Sequence, residues 1–469
     1  MEVVKNPNLL WYLGAYVILM IGLGVYGSKK VKNSDDFILA GKSLGMFVLM
    51  GTLVATWCGS GTVTGGPTSL AYNYGIGPSL FYGVPSILGI ISLFLIAEKI
   101  RSMNKHTIPE ILEEKYGPVS RGLGTIIVLL SYVGIISYQF TGLGYILNAT
   151  TGISVDVGTI VGAFVMVLLA TMGGLKSVAP TDAISATIMV VSLIIAVPAA
   201  IVAAGGWEHI VTNVPPTHLN VTGSLTVVQL LGYLIPTLFL ILGDQNMYQR
   251  ITAGKENKET KSAIIGWFVG MVIIMSTIPV IGIASRSMFP NISPGMALIA
   301  TSTVIPQFIG GCLLTAVAAF IVTTGDSFLL SASTNFTYDF YGRYINRNLT
   351  DKAKLMTTKL VIPIIGLFSY IMVKFFPTIL AVQMYSYTVY GAGITPAVLG
   401  AILWKRVNRY SGIASMLTGV IVTLLWEIPL NKPYGINSSV ISVPLAVIVL
   451  CVVTLMTAQT ATDNLQKTI

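Results

Sequence analysis

ATWCGSGTVTGGP, residues 55–67, interrupts an apolar run that is otherwise long enough to cross a lipid bilayer as one helix. Four glycines and a terminal proline fall inside this stretch. Unwound backbone at membrane depth is tolerated only where it is buried in protein or lines a cavity, so its carbonyl and N–H groups become available to ligands. The alternative is a helix-packing face made of small residues. We predict a broken membrane helix that lines a binding site.

Apolar runs of similar length recur along the whole chain. Of its 469 residues, 54% are hydrophobic and 10% are charged, against roughly 25% charged in an ordinary soluble domain. A soluble fold cannot bury that much apolar surface, so the sequence predicts an all-α polytopic membrane protein. The runs define about 13 transmembrane helices, near residues 9–27, 44–68, 77–98, 121–148, 154–175, 182–204, 226–249, 262–284, 305–341, 358–376, 379–404, 410–428 and 438–460.

The basic residues indicate how these spans are oriented. With the N-terminus outside, 23 of the 27 Lys and Arg residues fall on the inner side and four fall outside. The inner ones lie within 29–42, 99–121, 250–261, 343–359 and 405–409, with Lys176 and Lys467, and the outer ones are Lys5, Arg286, Lys374 and Lys432. Because one missed span would reverse every later loop, the split supports an odd number of spans. This topology explains the net charge of +9 without a nucleic-acid partner.

The sequence offers no catalytic or redox constellation. Its three cysteines lie inside apolar runs without the paired spacing of a disulfide framework or zinc site, and its three histidines are scattered through predicted loops. No cluster of His, Cys and acidic residues suits acid–base or nucleophilic catalysis. No linker or low-complexity stretch separates a soluble module from the membrane part. We therefore expect one membrane domain that is not an enzyme.

A second interrupted span lies near 226–249. It contains two glycines and a proline and ends in GDQNMYQR, residues 243–250, where Asp244 sits among polar residues. Two interrupted spans five helices apart indicate an inverted pair of five-helix repeats with the binding site at their interface. Asp244 either caps a helix end or belongs to the substrate path or inner gate. We divide the chain into a leading helix and loop (1–43), a first repeat (44–204), a second repeat (205–404) and two C-terminal helices (405–469).

The ninth span carries the sharpest polar pattern. It reads AAFIVTTGDSFLLSASTNFTYDFY at residues 318–341, with adjacent hydroxyls at Thr323 and Thr324 and a carboxylate at Asp326. Hydroxyls together with carbonyls from an unwound neighbour supply the oxygen ligands that a hard cation such as sodium requires. Hydroxyls bonded to carbonyls one turn earlier would explain much of the pattern without an ion. The carboxylate is harder to explain that way, because it is costly at membrane depth.

The sixth span opens with GGLKSVAPTDAIS, residues 173–185. Its Pro180, Thr181 and Asp182 match a helix N-terminus with Asp or Thr as the cap. The alternative role for Asp182 is that of a cation ligand facing the hydroxyl-rich ninth span. The two roles do not exclude each other.

Five segments, taken in order, resemble the sodium:solute symporter family. They are FILAGKSLG (37–45), GGLKSVAPTDAIS (173–185), DQNMYQR (244–250), TTGDSFLLSASTNFTYDFY (323–341) and YTVYGAGITPAVLGAILWKR (387–406). The resemblance runs from about residue 10 to residue 430. It implies an all-α LeuT-type fold with a 5+5 inverted repeat and broken helices, and sodium-driven transport of a small organic solute.

The resemblance also implies where sodium binds. In the family, the oxygens come from the break in the first core helix and from the eighth core helix, which here are the second and ninth spans. The matching residues for the main sodium ion are Ala55, Cys58, Phe320, Thr323 and Thr324. Some members hold a further sodium, for which the matching residues are Asp182, Thr323, Asp326 and Ser327.

Solute contacts transfer less directly, because members of the family differ most there. The predicted contacts are Trp57, Gly59, Ser60, Gly61 and Thr62 at the first break, together with Asp244. Sugar-binding relatives have Glu and Gln where Gly61 and Thr62 stand, which disfavours a sugar. The TW-GSG run resembles the choline branch, but that branch has a tryptophan where Asp244 stands. Exposed N–H groups at the break favour a substrate carboxylate.

We therefore expect a sodium-coupled symporter that works by alternating access on a carboxylate-bearing metabolite such as an amino acid, a monocarboxylate or pantothenate. Its partners would be the solute, sodium ions and the lipid bilayer, and its functional unit a monomer. It would lie in the plasma (inner) membrane with the N-terminus outside and the C-terminus cytoplasmic. The alternatives are a choline-like quaternary amine as solute, proton coupling through Asp182 or Asp326, and an uncoupled facilitator or channel.

Overall fold

The structure is a computed structural model that describes residues 5–29, 31, 33–172 and 174–466. Gly173, which opens one of the quoted segments, and three of the counted lysines, Lys30, Lys32 and Lys467, lie outside the described residues. Within the described part every regular element is a helix, and the β-type pairing there is confined to an isolated bridge between Leu44 and Gly254.

Twenty α-helices occur in the described residues. The first ten are α1 (Leu9–Ser28), α2 (Ser34–Leu39), α3 (Met46–Trp57), α4 (Gly66–Tyr74), α5 (Ile76–Met103), α6 (Ile108–Tyr116), α7 (Pro118–Thr151), α8 (Val155–Met172), α9 (Leu175–Ala203) and α10 (Trp207–Asn213). The others are α11 (Val227–Gly243), α12 (Gln245–Ala253), α13 (Asn257–Met288), α14 (Ala297–Ser302), α15 (Gln307–Asn335), α16 (Asp351–Val373), α17 (Ile379–Gly393), α18 (Thr395–Leu403), α19 (Arg409–Glu427) and α20 (Ser439–Gln466).

Most of the predicted spans are present as helices. Counted over the described residues, 11 helical segments are long and apolar enough to cross a bilayer, and the bent pair α3 and α4 counts as one more. The predicted span 154–175 corresponds to α8, which is a shorter apolar helix. The all-α polytopic fold is therefore confirmed, and the exact count of 13 stays a prediction.

The first break follows from residues that cannot continue α3. Cys58 leaves the helical region at φ −96° and ψ 83°, and the chain bends by 53° between α3 and the segment that begins at Gly61. A π-helical turn occupies Gly61–Gly65, a form that is rare and is frequent at functional sites. Pro67 then lies in the first turn of α4, where its missing N–H costs little. The predicted broken helix is therefore present.

The second break depends on a single side chain. α11 ends at Gly243, and Asp244 takes an extended conformation at φ −64° and ψ 120°. Its carboxylate accepts the N–H of Asn246 at 3.1 Å and so caps α12. Helix capping, one of the two roles predicted for Asp244, is therefore observed.

The predicted helix start at Pro180 is wrong. α9 begins at Leu175, and Gly174 is its extended N-cap. The carbonyl of Gly174 accepts the N–H groups of Ser177 and Val178, which sets the first turn before the proline is reached. Asp182 therefore lies inside the helix and cannot cap it, so its role must come from the helices packed against α9.

The central helix of the bundle is α15. It packs against α1, α3, α7 and α9, and most of its side chains are buried. α3 also packs against α9 and α13. The first break, the carboxylate-bearing part of α9 and the hydroxyl-rich part of α15 consequently meet in one region.

The basic loops meet at one end of the molecule, called the basic end below. Segment 99–121 contacts each of the other four basic segments. These contacts are His106–Asp35, Arg101–Gly254, Glu113–Arg343 and Lys115–Lys405. Burial alone would raise the pKa of Glu113, but hydrogen bonds from Arg121 and Arg343 bring that pKa below its ordinary value. The loops predicted to share one side of the membrane therefore do lie together.

The ends of α3 and α12 are joined through the backbone at the basic end. The N–H of Leu44 donates to the carbonyl of Ala253 at 3.1 Å, and the N–H of Lys255 donates to the carbonyl of Leu44 at 2.9 Å. The first helices of the two predicted repeats are thus connected without the help of side chains.

Candidate functional site

The residues predicted for the main cation come together where α3 breaks beside α15. Thr324 Oγ1 lies 3.0 Å from the carbonyl oxygen of Ala55 and 3.3 Å from that of Thr56. Thr323 Oγ1 lies 3.4 Å from the same Ala55 oxygen and 3.3 Å from the carbonyl oxygen of Phe320. Both hydroxyls are buried. Three carbonyl oxygens and two hydroxyls therefore converge without a carboxylate.

Cys58 borders this cluster at the point of the break. Its N–H still donates to the carbonyl of Val54 at 3.0 Å, but its ψ of 83° turns its own carbonyl out of the α3 hydrogen-bond ladder. Its thiol contacts Met271 Sδ at 3.3 Å. The backbone oxygen, not the sulfur, is the group that Cys58 can offer to a hard cation.

The residues predicted for a further cation are divided into two groups. In the first group, Asp182 accepts a hydrogen bond from Thr52 at 2.5 Å and lies 3.8 Å from Nη2 of Arg250. The same Arg250 nitrogen donates to Ser327 Oγ at 2.7 Å. Asp182, Ser327 and Arg250 are all buried. A guanidinium therefore already contacts two of the four predicted ligands.

The second group lines a small cavity of about 50 Å³ between α1, α9 and α15. Thr323 and Asp326 face it together with Tyr16 and Thr181. Asp326 Oδ1 and Asp182 Oδ1 are both buried and have no hydrogen-bond partner within the described residues. Burying a carboxylate oxygen without a partner costs free energy. A cation or a hydrogen-bond donor would therefore stabilise this region.

Trp57 belongs to a cluster of aromatic residues beside the first break. Its ring stacks on Tyr387 with centroids 6.4 Å apart, and its Nε1 donates to Ser86 Oγ at 3.0 Å. Tyr138 and Tyr387 place their hydroxyls 3.5 Å apart. α3, α5, α7 and α17 therefore each contribute a side chain to one cluster.

Gln383 explains why the break contains glycine. A Cβ atom on Gly61 would lie 2.6 Å from Gln383 Nε2, and one on Gly65 would lie 2.4 Å from Gln383 Oε1. The amide accepts the N–H of Gly66 at 3.0 Å and donates to Tyr82 at 2.7 Å. The π-helical turn thus needs glycine so that the amide of α17 can approach its backbone.

Gln139 of α7 contacts the same break. Its Oε1 accepts the N–H of Ser60 at 2.8 Å, which fixes the orientation of the amide, and it would lie 2.8 Å from a Cβ on Gly59. Its Nε2 is buried and has no hydrogen-bond partner in the part of the chain that the structure describes. The Ser60 N–H, predicted to be exposed to a solute, is already bonded here, and Gln139 instead supplies an unused donor.

The profile of the sodium:solute symporter family matches residues 37–419, which is most of the chain. The chain belongs to the sodium:solute symporter family. Similar relatives are the osmoregulated proline transporter OpuE of Bacillus subtilis (strain 168), 26% identical over 96% of this chain and 95% of the relative, and the sodium/pantothenate symporter of Haemophilus influenzae, 24% identical over 88% and 89%. Membership makes the protein a multi-pass membrane transporter with sodium as its coupling ion, rather than an enzyme.

The fold of the symporter is similar to that of a solved structure. A substrate-bound, outward-open Na⁺-coupled sialic acid symporter superposes with a TM-score of 0.80 at 22% identity, covering 96% of this chain and 98% of that one. The LeuT-type fold predicted from the resemblance is therefore confirmed. The exact repeat boundaries, 44–204 and 205–404, stay predictions.

Asp244 lies apart from the other predicted solute contacts of the symporter. Its Oδ1 accepts the hydroxyl of Tyr132 at 2.6 Å. Tyr132 precedes Tyr138 by six residues on α7, which is about 9 Å along the helix toward the basic end. Trp57, Gly59, Ser60, Gly61 and Thr62 are brought together at the first break. Asp244 instead lies at the second break, on the basic-end side of them.

Sequence analysis missed several groups at the first break, namely Ser86, Tyr138, Gln139, Gln383 and Tyr387. A signal for two of them was present, because a glutamine in the middle of an apolar span is costly unless it has a specific partner. Tyr387 also lies within one of the segments that carry the family resemblance. The sequence alone does not show that α7 and α17 pack against the broken α3.

Proposed function

We propose that this symporter couples sodium to the transport of a small carboxylate-bearing solute. Sodium binds at Ala55, Cys58, Phe320, Thr323 and Thr324, and the solute binds beside the break in α3. One chain can supply all of these groups, and we propose a monomer as the functional unit. The proposal rests on the arrangement of neutral oxygens at the break and on the unused donor of Gln139.

Support for the sodium site comes from the convergence of neutral oxygens on Ala55. The hydroxyls of Thr323 and Thr324 now donate toward that carbonyl. Each hydroxyl can rotate so that a lone pair, not its hydrogen, faces an ion held among the same atoms. Oxygen ligands of this kind suit a hard cation. A bound sodium would tie α3 to α15 and so favour the arrangement of helices in which these oxygens are close.

The solute class is supported by one observation above all, the buried Nε2 of Gln139 next to Ser60. A carboxylate oxygen is the acceptor that this donor lacks, and a buried donor left unpaired costs free energy. The names of the relatives and of the solved structure mention proline, pantothenate and sialic acid, and each of these solutes carries a carboxylate. Sodium bound nearby would supply the positive charge that favours the carboxylate.

A choline-like quaternary amine is the second candidate solute. The aromatic rings of Trp57, Tyr138 and Tyr387 favour it, since the face of an aromatic ring attracts a cation. An amino acid would use both features, with its carboxylate at Gln139 and the rest of the molecule against the rings.

The orientation of the symporter in the membrane follows from the charge distribution. By the positive-inside rule the basic end faces the cytoplasm, with the N-terminus outside and the C-terminus cytoplasmic in the plasma membrane. Each sodium ion that enters adds about 2.3 kcal/mol per 100 mV of membrane potential to its concentration gradient. Alternating access would then open the solute region first to the outside and later to the basic end.

The solute class can be tested by thermal unfolding of the purified symporter with a panel of amino acids, monocarboxylates, pantothenate, choline and sugars. Each solute is measured in sodium and in potassium at equal ionic strength. A ligand that binds only the native state raises the unfolding temperature, so we expect a rise with carboxylates in sodium alone. A rise with choline alone would replace the carboxylate by the second candidate. A rise that is equal in potassium would contradict sodium coupling.

The sodium site can be tested by replacing Thr324. Thr324→Ala removes the oxygen nearest to the Ala55 carbonyl, so the apparent affinity for sodium in solute uptake should fall at least about tenfold, or about 1.4 kcal/mol. Thr324→Ser keeps the oxygen and should retain most of the affinity. Thr315→Ala, a buried threonine on the same helix, serves as the matched control. Full sodium affinity in Thr324→Ala would exclude this site.

A further inference from the structure

Arg250 is a buried cation that joins four helices at the predicted second sodium site. Its Nε donates to Thr52 of α3 at 3.0 Å, and its Nη2 donates to Ser327 of α15 at 2.7 Å. The same Nη2 lies 3.8 Å from Asp182 of α9. Arg250 itself belongs to α12 and is only 2% exposed. Its guanidinium thus occupies the space between the two predicted ligands on α9 and α15.

A sodium ion would need the same atoms. Ser327 Oγ donates its hydrogen to the carbonyl of Thr323 at 2.8 Å, so only its lone pairs are left for a cation, and Arg250 uses one of them. Asp182 Oδ2 accepts from Thr52 and faces the guanidinium. An ion coordinated by both Ser327 and Asp182 would therefore lie beside a fixed positive charge and be repelled by it.

Arg250 reaches this position because α12 is docked against its neighbours. Ser331 of α15 donates to Asn246 at 2.6 Å and lies 3.1 Å from Gln249, both on α12. Gln249 in turn donates to the carbonyl of His106 at 2.9 Å. Movement of α12 away from α15 would break these contacts at the basic end and withdraw the guanidinium from Asp182 and Ser327. Its position is thus linked to the closure of that end.

We propose that Arg250 is a tethered cation that fills the second sodium position while α12 is docked. The symporter then binds one sodium ion in this state, at the Ala55–Thr324 site, and Asp182 and Ser327 become available to a second ion only when α12 moves away. This inference rests on the sodium site of the proposed function. A second sodium ion therefore cannot bind at Asp182 and Ser327 while α12 is docked at the basic end.

The experiment counts sodium ions by thermal unfolding of the full-length symporter without solute, at constant ionic strength with potassium as the replacement ion. For saturating ligand, the rise of unfolding temperature with the logarithm of sodium concentration is proportional to the number of ions bound. Wild type should give the slope for one ion. Arg250→Gln leaves Asp182 without its cation and frees Ser327, so its slope should roughly double.

Three variants make the outcome specific. Arg250→Lys keeps a tethered charge and should retain the one-ion slope. The double variant Asp182→Asn with Arg250→Gln removes the carboxylate as well and should return to one ion. Arg343→Gln removes a basic-end arginine that pairs with Glu113 and should leave the slope unchanged.

Two ions bound by wild type, or one ion bound by a folded Arg250→Gln, would overturn the tethered-cation proposal. The wild-type count requires no variant, so the proposal stays open to refutation if Arg250→Gln does not fold. Thr324→Ala separates this failure from failure of the main site. If sodium begins to stabilise that variant at the same concentration as wild type, the main sodium assignment is wrong, whatever the result at Arg250.

Discussion

The first helix of each repeat is broken, but the two breaks use different chemistry. The α3 break contains glycines and hydroxyl side chains without a charge, and the Ala55 carbonyl beside it faces Thr323 and Thr324. The break between α11 and α12 has one charged residue, Asp244, which caps the second half. There, three carbonyls accept hydroxyls in the pairs Phe239–Thr395, Leu242–Tyr248 and Gly243–Tyr390.

This difference determines which break can exchange its partners. A threonine hydroxyl rotates about a single bond, so the two threonines at α3 can give up a carbonyl and face an ion, whereas two of the three donors at the second break are tyrosines. The hydroxyl of Tyr390 lies in the plane of a ring, and that ring is stacked on Tyr132 at a centroid distance of 5.6 Å. The α3 break therefore suits binding and release of the ion and the solute, whereas the second break suits a fixed bend between α11 and α12.

The largest expected effect on uptake comes from adding a methyl group at the α3 break. In Gly61→Ala the new Cβ would lie 2.6 Å from Gln383 Nε2 and 3.3 Å from the Tyr138 hydroxyl, so the amide must shift and disturb its hydrogen bonds to Gly66 and Tyr82. Uptake at low solute concentration should fall by more than about tenfold, equivalent to about 1.4 kcal/mol, while sodium still stabilises the protein. Radiolabelled uptake and thermal unfolding measure the two effects separately.

Gly243→Ala is the matched change at the second break. Its Cβ would lie 2.3 Å from Thr395 Oγ1 and 3.3 Å from Thr395 Cα, so it should lower stability rather than solute affinity. If both alanine variants changed solute affinity equally, the two breaks would not differ in function as we propose.

A smaller effect on uptake is expected from Asp244→Ala, which should act mainly on stability. The variant loses the cap of α12 and the hydrogen bond from Tyr132, so unfolding in detergent should become easier by about 2–4 kcal/mol. Asp244→Asn can still cap the helix and should lose less. The sodium dependence of uptake should be the same in both variants as in wild type. A selective loss of solute or sodium affinity would instead return Asp244 to the transport path.

The smallest effect is expected from Tyr390→Phe. This change removes the hydroxyl that donates to the carbonyl of Gly243 at 2.8 Å and should cost about 1 kcal/mol of stability. The apparent affinity for sodium should equal that of wild type, in contrast to Thr324→Ala. A change in sodium affinity would show that the second break also takes part in binding the ion.

The sequence predicted the broken α3, the second break and the hydroxyls of α15, because glycine, proline and polar residues inside apolar runs violate the ordinary membrane pattern. It failed at Pro180, where a proline inside α9 looked like a helix start. It also could not assign Gln139, Gln383 or Arg250. Each of these side chains acts across helices distant in sequence, and helix pairing is decided by packing that periodicity does not reveal.

The backbone bonds that join Leu44 to Ala253 and Lys255 have a mechanical consequence. They link the ends of α3 and α12, while the breaks lie farther along each helix, at Cys58 and Asp244. α3 and α12 are therefore held together at the basic end. If one of these helices moved without the other, both backbone hydrogen bonds would break. The amide hydrogens of Leu44 and Lys255 should therefore exchange with solvent as one cooperative unit.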